Sequence, residues 1–160
     1  MAYRSIIKDE DPILRKKSRE VTVFDERLHQ LLDDMYDTMF AANGVGLAAV
    51  QVGVLRRVVV VDVGFERIEL INPVICEKSD TVVLEPEACL SFPKRCGMVE
   101  RPKKVVVQAA DRDGNPITVE GEDLLARAIC HELDHLDGVV YLDIATRMLD
   151  PEEFRGPEDD

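Results

Sequence analysis

The sequence lacks any run apolar enough to read as an export signal or a membrane span. Its opening, MAYRSIIKDEDP, has no apolar core, and the longest uncharged stretch, between Asp37 and Arg56, is broken by Asn43, Gln51 and three glycines. A cytoplasmic location is the expectation. Basic charge is scarce too: 20 Lys and Arg stand against 32 Asp and Glu, a net charge of −12. Direct binding to nucleic acid or an anionic membrane is therefore not expected, because cationic surface supplies that attraction. Internal repeats and low-complexity linkers are also missing. The four cysteines, Cys76, Cys89, Cys96 and Cys130, come without an export signal, so they are expected to be reduced thiols and not a disulfide framework.

What remains is the composition of a globule: 46% hydrophobic and 32% charged over 160 residues, enough for one core. Residues 1–149 are expected to form a single domain, followed by an acidic, flexible tail at 150–160. From Asp25 to Asn43, Leu28, Leu31, Leu32, Met35, Met39 and Phe40 recur at helical spacing, with Asn43-Gly44 as a left-handed stop. The runs RRVVVVDV (56–63), IELINPVI (68–75), TVVLE (81–85) and KKVVVQAAD (103–111) are dense in β-branched residues and read as strands. Asp113-Gly114-Asn115-Pro116 then predicts a hairpin into ITVEG.

A second helix is predicted from about Gly121 to Leu136, with Glu122 and Asp123 in its first turn and Gly138 just past its end. The fold class is α+β: antiparallel strands packed around a central helix that carries HExxH, plus an N-terminal amphipathic helix.

His131-Glu132-Leu133-Asp134-His135 is that HExxH, and on a helix its two imidazoles stack one turn apart, where both can grip one ion. Leu124, Ala128, His131 and His135 fall at offsets 0, 4, 7 and 11, so the rings continue an apolar stripe. Two unpartnered imidazoles there are costly, and a divalent ion satisfies both. Glu132 then serves as general base. A catalytic site needs a third protein ligand and an open position. The metzincin extension HExxHxxGxxH is met at Gly138 but fails at Tyr141, and few residues follow for a downstream Glu.

The third ligand is therefore expected upstream. His29, on the first helix, is expected to face solvent or cap packing and not to bind metal. Spacing does not separate Cys89, within Glu87-Ala88-Cys89-Leu90-Ser91, from Cys96 or Cys76, and Pro86 and Pro93 are read as breaking that segment away from the preceding strand. Gly44-Val45-Gly46-Leu47-Ala48-Ala49-Val50-Gln51 is a further small-residue segment, without the third Gly of a dinucleotide site or the GK[ST] of a phosphate loop. Gln51 could donate to a carbonyl oxygen or satisfy a neighbouring backbone group. The rival functions are a metallopeptidase cutting internal bonds and a structural metal protein whose site is closed by Cys96 or Asp134. Arg101 and Asp134 are a candidate supporting pair.

In order, GVGLAAVQ (44–51), EACLS (87–91) and HELDH (131–135) resemble the GxGxAAxQ, EGCLS and HExDH motifs of the peptide deformylases. The likeness extends to Asp11-Pro12, Leu14-Arg15 and Asn72-Pro73 and spans about residues 10–145. It implies Cys89, His131 and His135 as ligands of one divalent ion, with Fe(II) favoured and Zn, Ni or Co as alternatives. It implies Glu132 as the catalytic carboxylate, and Gln51 with the Leu90 backbone N–H as donors to the formyl oxygen. Gly44, Val45 and Gly46 are implied to bind the peptide. The implied substrates are N-formylmethionyl nascent peptides, which release formate, and the implied partner is the ribosome, through a transient contact. Ala88 departs from the family's Gly and, were a positive φ required there, would cost about 1 kcal/mol.

Overall fold

The computed structural model describes residues 3–9 and 11–154. Helix α1 (Glu26–Ala41) begins where the Asp25 carboxylate accepts from the Leu28 N–H at 3.1 Å, a cap that contributes about 1 kcal/mol. It ends in a Schellman arrangement: Asn43 takes φ 59° and donates to the Phe40 carbonyl, while Gly44 donates to that of Met39 at 2.9 Å. The predicted bounds therefore include both caps. Leu28, Leu31, Leu32, Met35 and Met39 are buried as their spacing requires, whereas Phe40 is not: it lies 70% exposed.

Two antiparallel sheets follow. The larger runs in the order β1-β2-β3-β6-β7, built from β1 (Gly46–Ala48), β2 (Val58–Val61), β3 (Ile68–Lys78), β6 (Lys104–Ala110) and β7 (Pro116–Glu122). The smaller runs β4-β5-β8, from β4 (Val82–Cys89), β5 (Phe92–Pro102) and β8 (Arg147–Met148). All four valines of β2 are fully buried. Side chains alternate along a strand, so Val58 and Val60 pack with Leu32, Met35 and Met39 of α1. Val59 and Val61 pack with Ala128, Ile129 and Leu133 of helix α2 (Leu124–Leu136). An unbroken apolar run is what a strand covered on both faces needs.

Three expectations are corrected. Helix α2 starts at Leu124 and not at Gly121, because Gly121 and Glu122 pair with Val105 and Lys104 and prolong the β6–β7 ladder; Asp123, at φ 55°, makes the turn into the helix. The EACLS segment is not broken away by its prolines. Pro86 sits inside β4 opposite Met98, on an outer strand where a missing N–H is tolerated, and Cys89 closes on Phe92 through Leu90-Ser91. Finally, β1, β5 and β8 were not foreseen, since two are very short and β5 carries four charges and two prolines. Of the expected tail at 150–160, Pro151–Phe154 forms the short helix α3, and residues 155–160 lie outside the described residues.

Gly138 follows α2 at φ 76°, and a Cβ there would run into the backbone carbonyl of Arg15. Left-handed backbone alone costs a residue with a side chain about 1–3 kcal/mol. Gly138→Ala is therefore expected to lower the thermal midpoint by several degrees; an unchanged melting curve would contradict this.

Candidate metal centre

HELDH occupies the last turns of α2, and its i, i+4 spacing sets the His131 and His135 rings on one face with centroids 5.1 Å apart. The last residue of β4 meets them: Cys89 Sγ lies 3.3 Å from His135 Nε2. One donor atom each from Cys89, His131 and His135 falls within 4.8 Å of the others, and all three residues are buried. The structure thus separates the cysteines that spacing left equal. Cys76 is exposed and donates to the Val106 carbonyl, while Cys96 is buried in β5 outside the group, its thiol pushed up by burial.

The donor set fits a divalent ion. Sulfur and nitrogen donors on one tetrahedral ion stand about 3.5 Å apart, close to the separation found here. His131 Nδ1 lies 2.6 Å from Glu87 Oε2, leaving Nε2 for the cluster, which is the carboxylate–histidine pairing that metal sites use. Burial draws His135 well below the usual imidazole range, so it stays neutral with a lone pair to offer. At His131 burial acts the same way, but Glu132, Cys89 and Glu87 outweigh it and raise its pKa. Those surroundings favour positive charge.

Glu87 is itself gripped. Arg101 reaches its two oxygens at 3.1 and 2.6 Å, and Arg127 donates to Oε1 at 3.0 Å. Burial pushes the Glu87 carboxyl up, yet the hydrogen bonds from His131 and Arg101 prevail and hold it at about 2. Arg101 also binds Asp134 at 2.6 Å, the pair anticipated from sequence, which commits Asp134 away from the cluster. Glu87 and Arg127 were missed. Their signal was available: Glu87 is two residues before Cys89 on one side of a strand, and Arg127 is one helical turn before His131.

Glu132 is 4% exposed, its Oε1 has no hydrogen-bond partner among the described residues, and burial pushes its carboxyl up to about 7. Gln51 accepts from the Ala48 N–H at 3.0 Å and turns its amide to Ser91 Oγ at 3.0 Å and Cys89 Sγ at 3.6 Å, so it both satisfies backbone and aims a donor into the site. Leu90 packs on Gly44, where a Cβ would stand 2.6 Å from it. Ala88 does not adopt a positive φ, so the departure from the family motif carries no backbone strain.

Cys89, Leu90, His131 and Glu132 line a cleft of about 560 Å³ with Gly44, Val45 and Gly46 on one wall and Ala128 on another. Leu124, expected on an inward stripe, is 51% exposed at the rim. Tyr141, which stands where a metzincin has its third His, stacks on the His131 ring at 6.0 Å. His29 lies partly buried against the Arg112 carbonyl, at 2.9 Å, outside the cluster.

The family described as polypeptide deformylase matches residues 3–150. The chain is 58% identical to a peptide deformylase of Caldicellulosiruptor bescii over 154 residues, 96% of this chain and 92% of that one. It is 57% identical to one from Acetivibrio thermocellus, over 96% and 90% of the two chains. The crystal structure of the peptide deformylase from Thermotoga maritima superposes with a TM-score of 0.88 at 40% identity, covering 91% of this chain and 99% of that one.

Proposed function

Because the chain belongs to the polypeptide deformylase family, a family of metal-dependent hydrolases that remove the formyl group from nascent peptides, we propose that Cys89, His131 and His135 hold its ion and that Glu132 moves the protons. The observation that carries this reading is one buried sulfur and two buried imidazoles converging beside a carboxylate whose Oε1 has no partner among the described residues. Helix α2 is the central scaffold of the site, with residues up to 149 as its single domain and 150–160 as an acidic extension.

Bound there, a divalent ion supplies Lewis acidity toward water and the formyl oxygen. Gly44 and Val45, leading into the edge strand of the larger sheet, and Gly46, its first residue, hold the peptide backbone. Gln51 Nε2 and the Leu90 N–H donate to the formyl oxygen as negative charge develops on it; one such donor contributes about 3–4 kcal/mol. Glu132 takes a proton from the attacking water and delivers it to the departing amine nitrogen as the C–N bond breaks and formate leaves. A carboxyl poised near neutrality can do both. Fe(II) is the proposed ion, with Zn, Ni or Co able to occupy the same donors. No helix among the described residues is long and apolar enough to cross a membrane; we place the enzyme in the cytoplasm, in transient contact with the ribosome.

Anaerobic purification is expected to yield one divalent ion per chain and formate release from formyl-methionyl peptides. A metal-replete protein that cleaves internal bonds of unformylated peptides and releases no formate would overturn the reading. Gly46 offers a finer test, because a Cβ at this position would stand 2.7 Å from Glu132 Oε2. Misplacing a catalytic group by about 1 Å can cost as much as about 100-fold. Gly46→Ala is expected to lower kcat at least about tenfold with its metal content intact.

A further inference from the structure

Two of the most exposed large apolar side chains line one hollow next to the cleft. Phe40, in the last turn of α1, is 70% exposed, and Phe65, in the loop joining β2 to β3, is 93% exposed. Both line this hollow, of about 430 Å³, together with Met39, Asn43, Gly44, Gly64 and Asp62, whose two carboxylate oxygens already accept from the Tyr36 hydroxyl and the Gly64 N–H. Asn43 and Gly44 also line the cleft that holds Cys89 and Glu132, so the hollow continues that cleft outward. Val45, 40% exposed, keeps the junction apolar.

The Phe40 ring stands on a fixed support. Phe40 stacks on Tyr36, with centroids 6.2 Å apart and planes 22° from parallel. Arg67 lies 4.5 Å from the centre of the Tyr36 ring, and the Tyr36 hydroxyl donates to Asp62 at 2.8 Å. Asp62 in turn accepts from the Gly64 N–H at 2.8 Å, tying down the loop next to Phe65. Neither exposed ring adds to the core, and covering a phenylalanine is favourable in proportion to the area removed from water.

We infer that this hollow receives an apolar side chain of the formylated peptide, downstream of the residue seated in the cleft. Phe40 and Phe65 are thus specificity-determining residues for the sequence that follows the formyl-methionine. The occupant follows from continuity: a chain anchored at Cys89 and Glu132 and lying along Gly44 to Gly46 passes the hollow as it leaves. The inference rests on the deformylase reading.

The test uses metal-loaded full-length enzyme and formyl-methionyl peptides of serine in which a single leucine is walked through each downstream position. Within each enzyme the readout is the ratio of kcat/KM for the leucine peptide to that for the all-serine peptide, so changes in overall activity cancel. At one position the wild-type ratio is expected to reach about five or more, chiefly through KM, as partial burial of one leucine implies. Phe65→Ser and Phe40→Ser, both at exposed positions, are expected to bring that ratio close to one. A ratio near one at every position in the wild type, or one that survives both substitutions, would overturn the inference. So would concentration-dependent dimerisation in sedimentation that Phe65→Ser abolishes, which would assign the hollow to a second copy of the chain. Failure of the wild type to release formate from any peptide would instead strike the deformylase reading itself.

Discussion

Glu132→Gln is expected to keep its metal and to lose about 100- to 10,000-fold in formate release, the usual contribution of a positioned acid–base group. Glutamine preserves the shape of a side chain that is 4% exposed, so neither the helix nor the donor cluster should change. What it removes is the ability to accept a proton. Burial has pushed this carboxyl up to about 7, close to the pH at which it must both take and return that proton. Metal analysis and single-turnover formate assays on one preparation read the two quantities separately. Wild-type activity in the glutamine variant would transfer the proton work to another group.

The second large effect is on stability. Glu87→Ala leaves Arg101 and Arg127, both buried, without their shared carboxylate and leaves His131 Nδ1 without its partner. Removing one member of a buried charge cluster costs about 3–5 kcal/mol, because the opposite charges stay behind in a medium that solvates them poorly. Denaturant unfolding should show this loss, and metal affinity should drop by about 10- to 100-fold as the imidazole loses its orienting anion. Glu87→Gln keeps an acceptor for His131 but discards the charge, and should fall between the two. If the alanine variant unfolds like the wild type, the cluster is not holding the smaller sheet to α2.

Elements with a strong local signal were legible in the sequence. Asp25 and Asn43-Gly44 marked the ends of α1, and the valine run at 58–61 marked a strand covered on both faces. HELDH displayed two donors through its spacing alone. The boundary at Gly121 was not legible, because whether a Gly-Glu pair ends a strand or opens a helix depends on Lys104 and Val105 across the ladder. Cys89 could not be chosen over Cys76 and Cys96 for a similar reason: it meets His135 only once β4 has been laid against α2, 46 residues away. Buried charge was the least visible. Glu87, Arg101 and Arg127 look like surface residues one by one, and only their mutual pairing makes burial affordable.

The hydrogen-bonded stop of α1 has a consequence for where the chain can change length. The edge that faces the cleft is pinned from one side by the bonds of Asn43 and Gly44 to the helix end, and from the other by the pairing of Gly46 with Val61. One residue added between Met39 and Gly46 would swing everything beyond it by about 100° or reverse its facing, whereas the span from Asp62 to Arg67 can absorb additions without disturbing either anchor. Insertions that retune the enzyme without silencing it should therefore be found on the β2–β3 side.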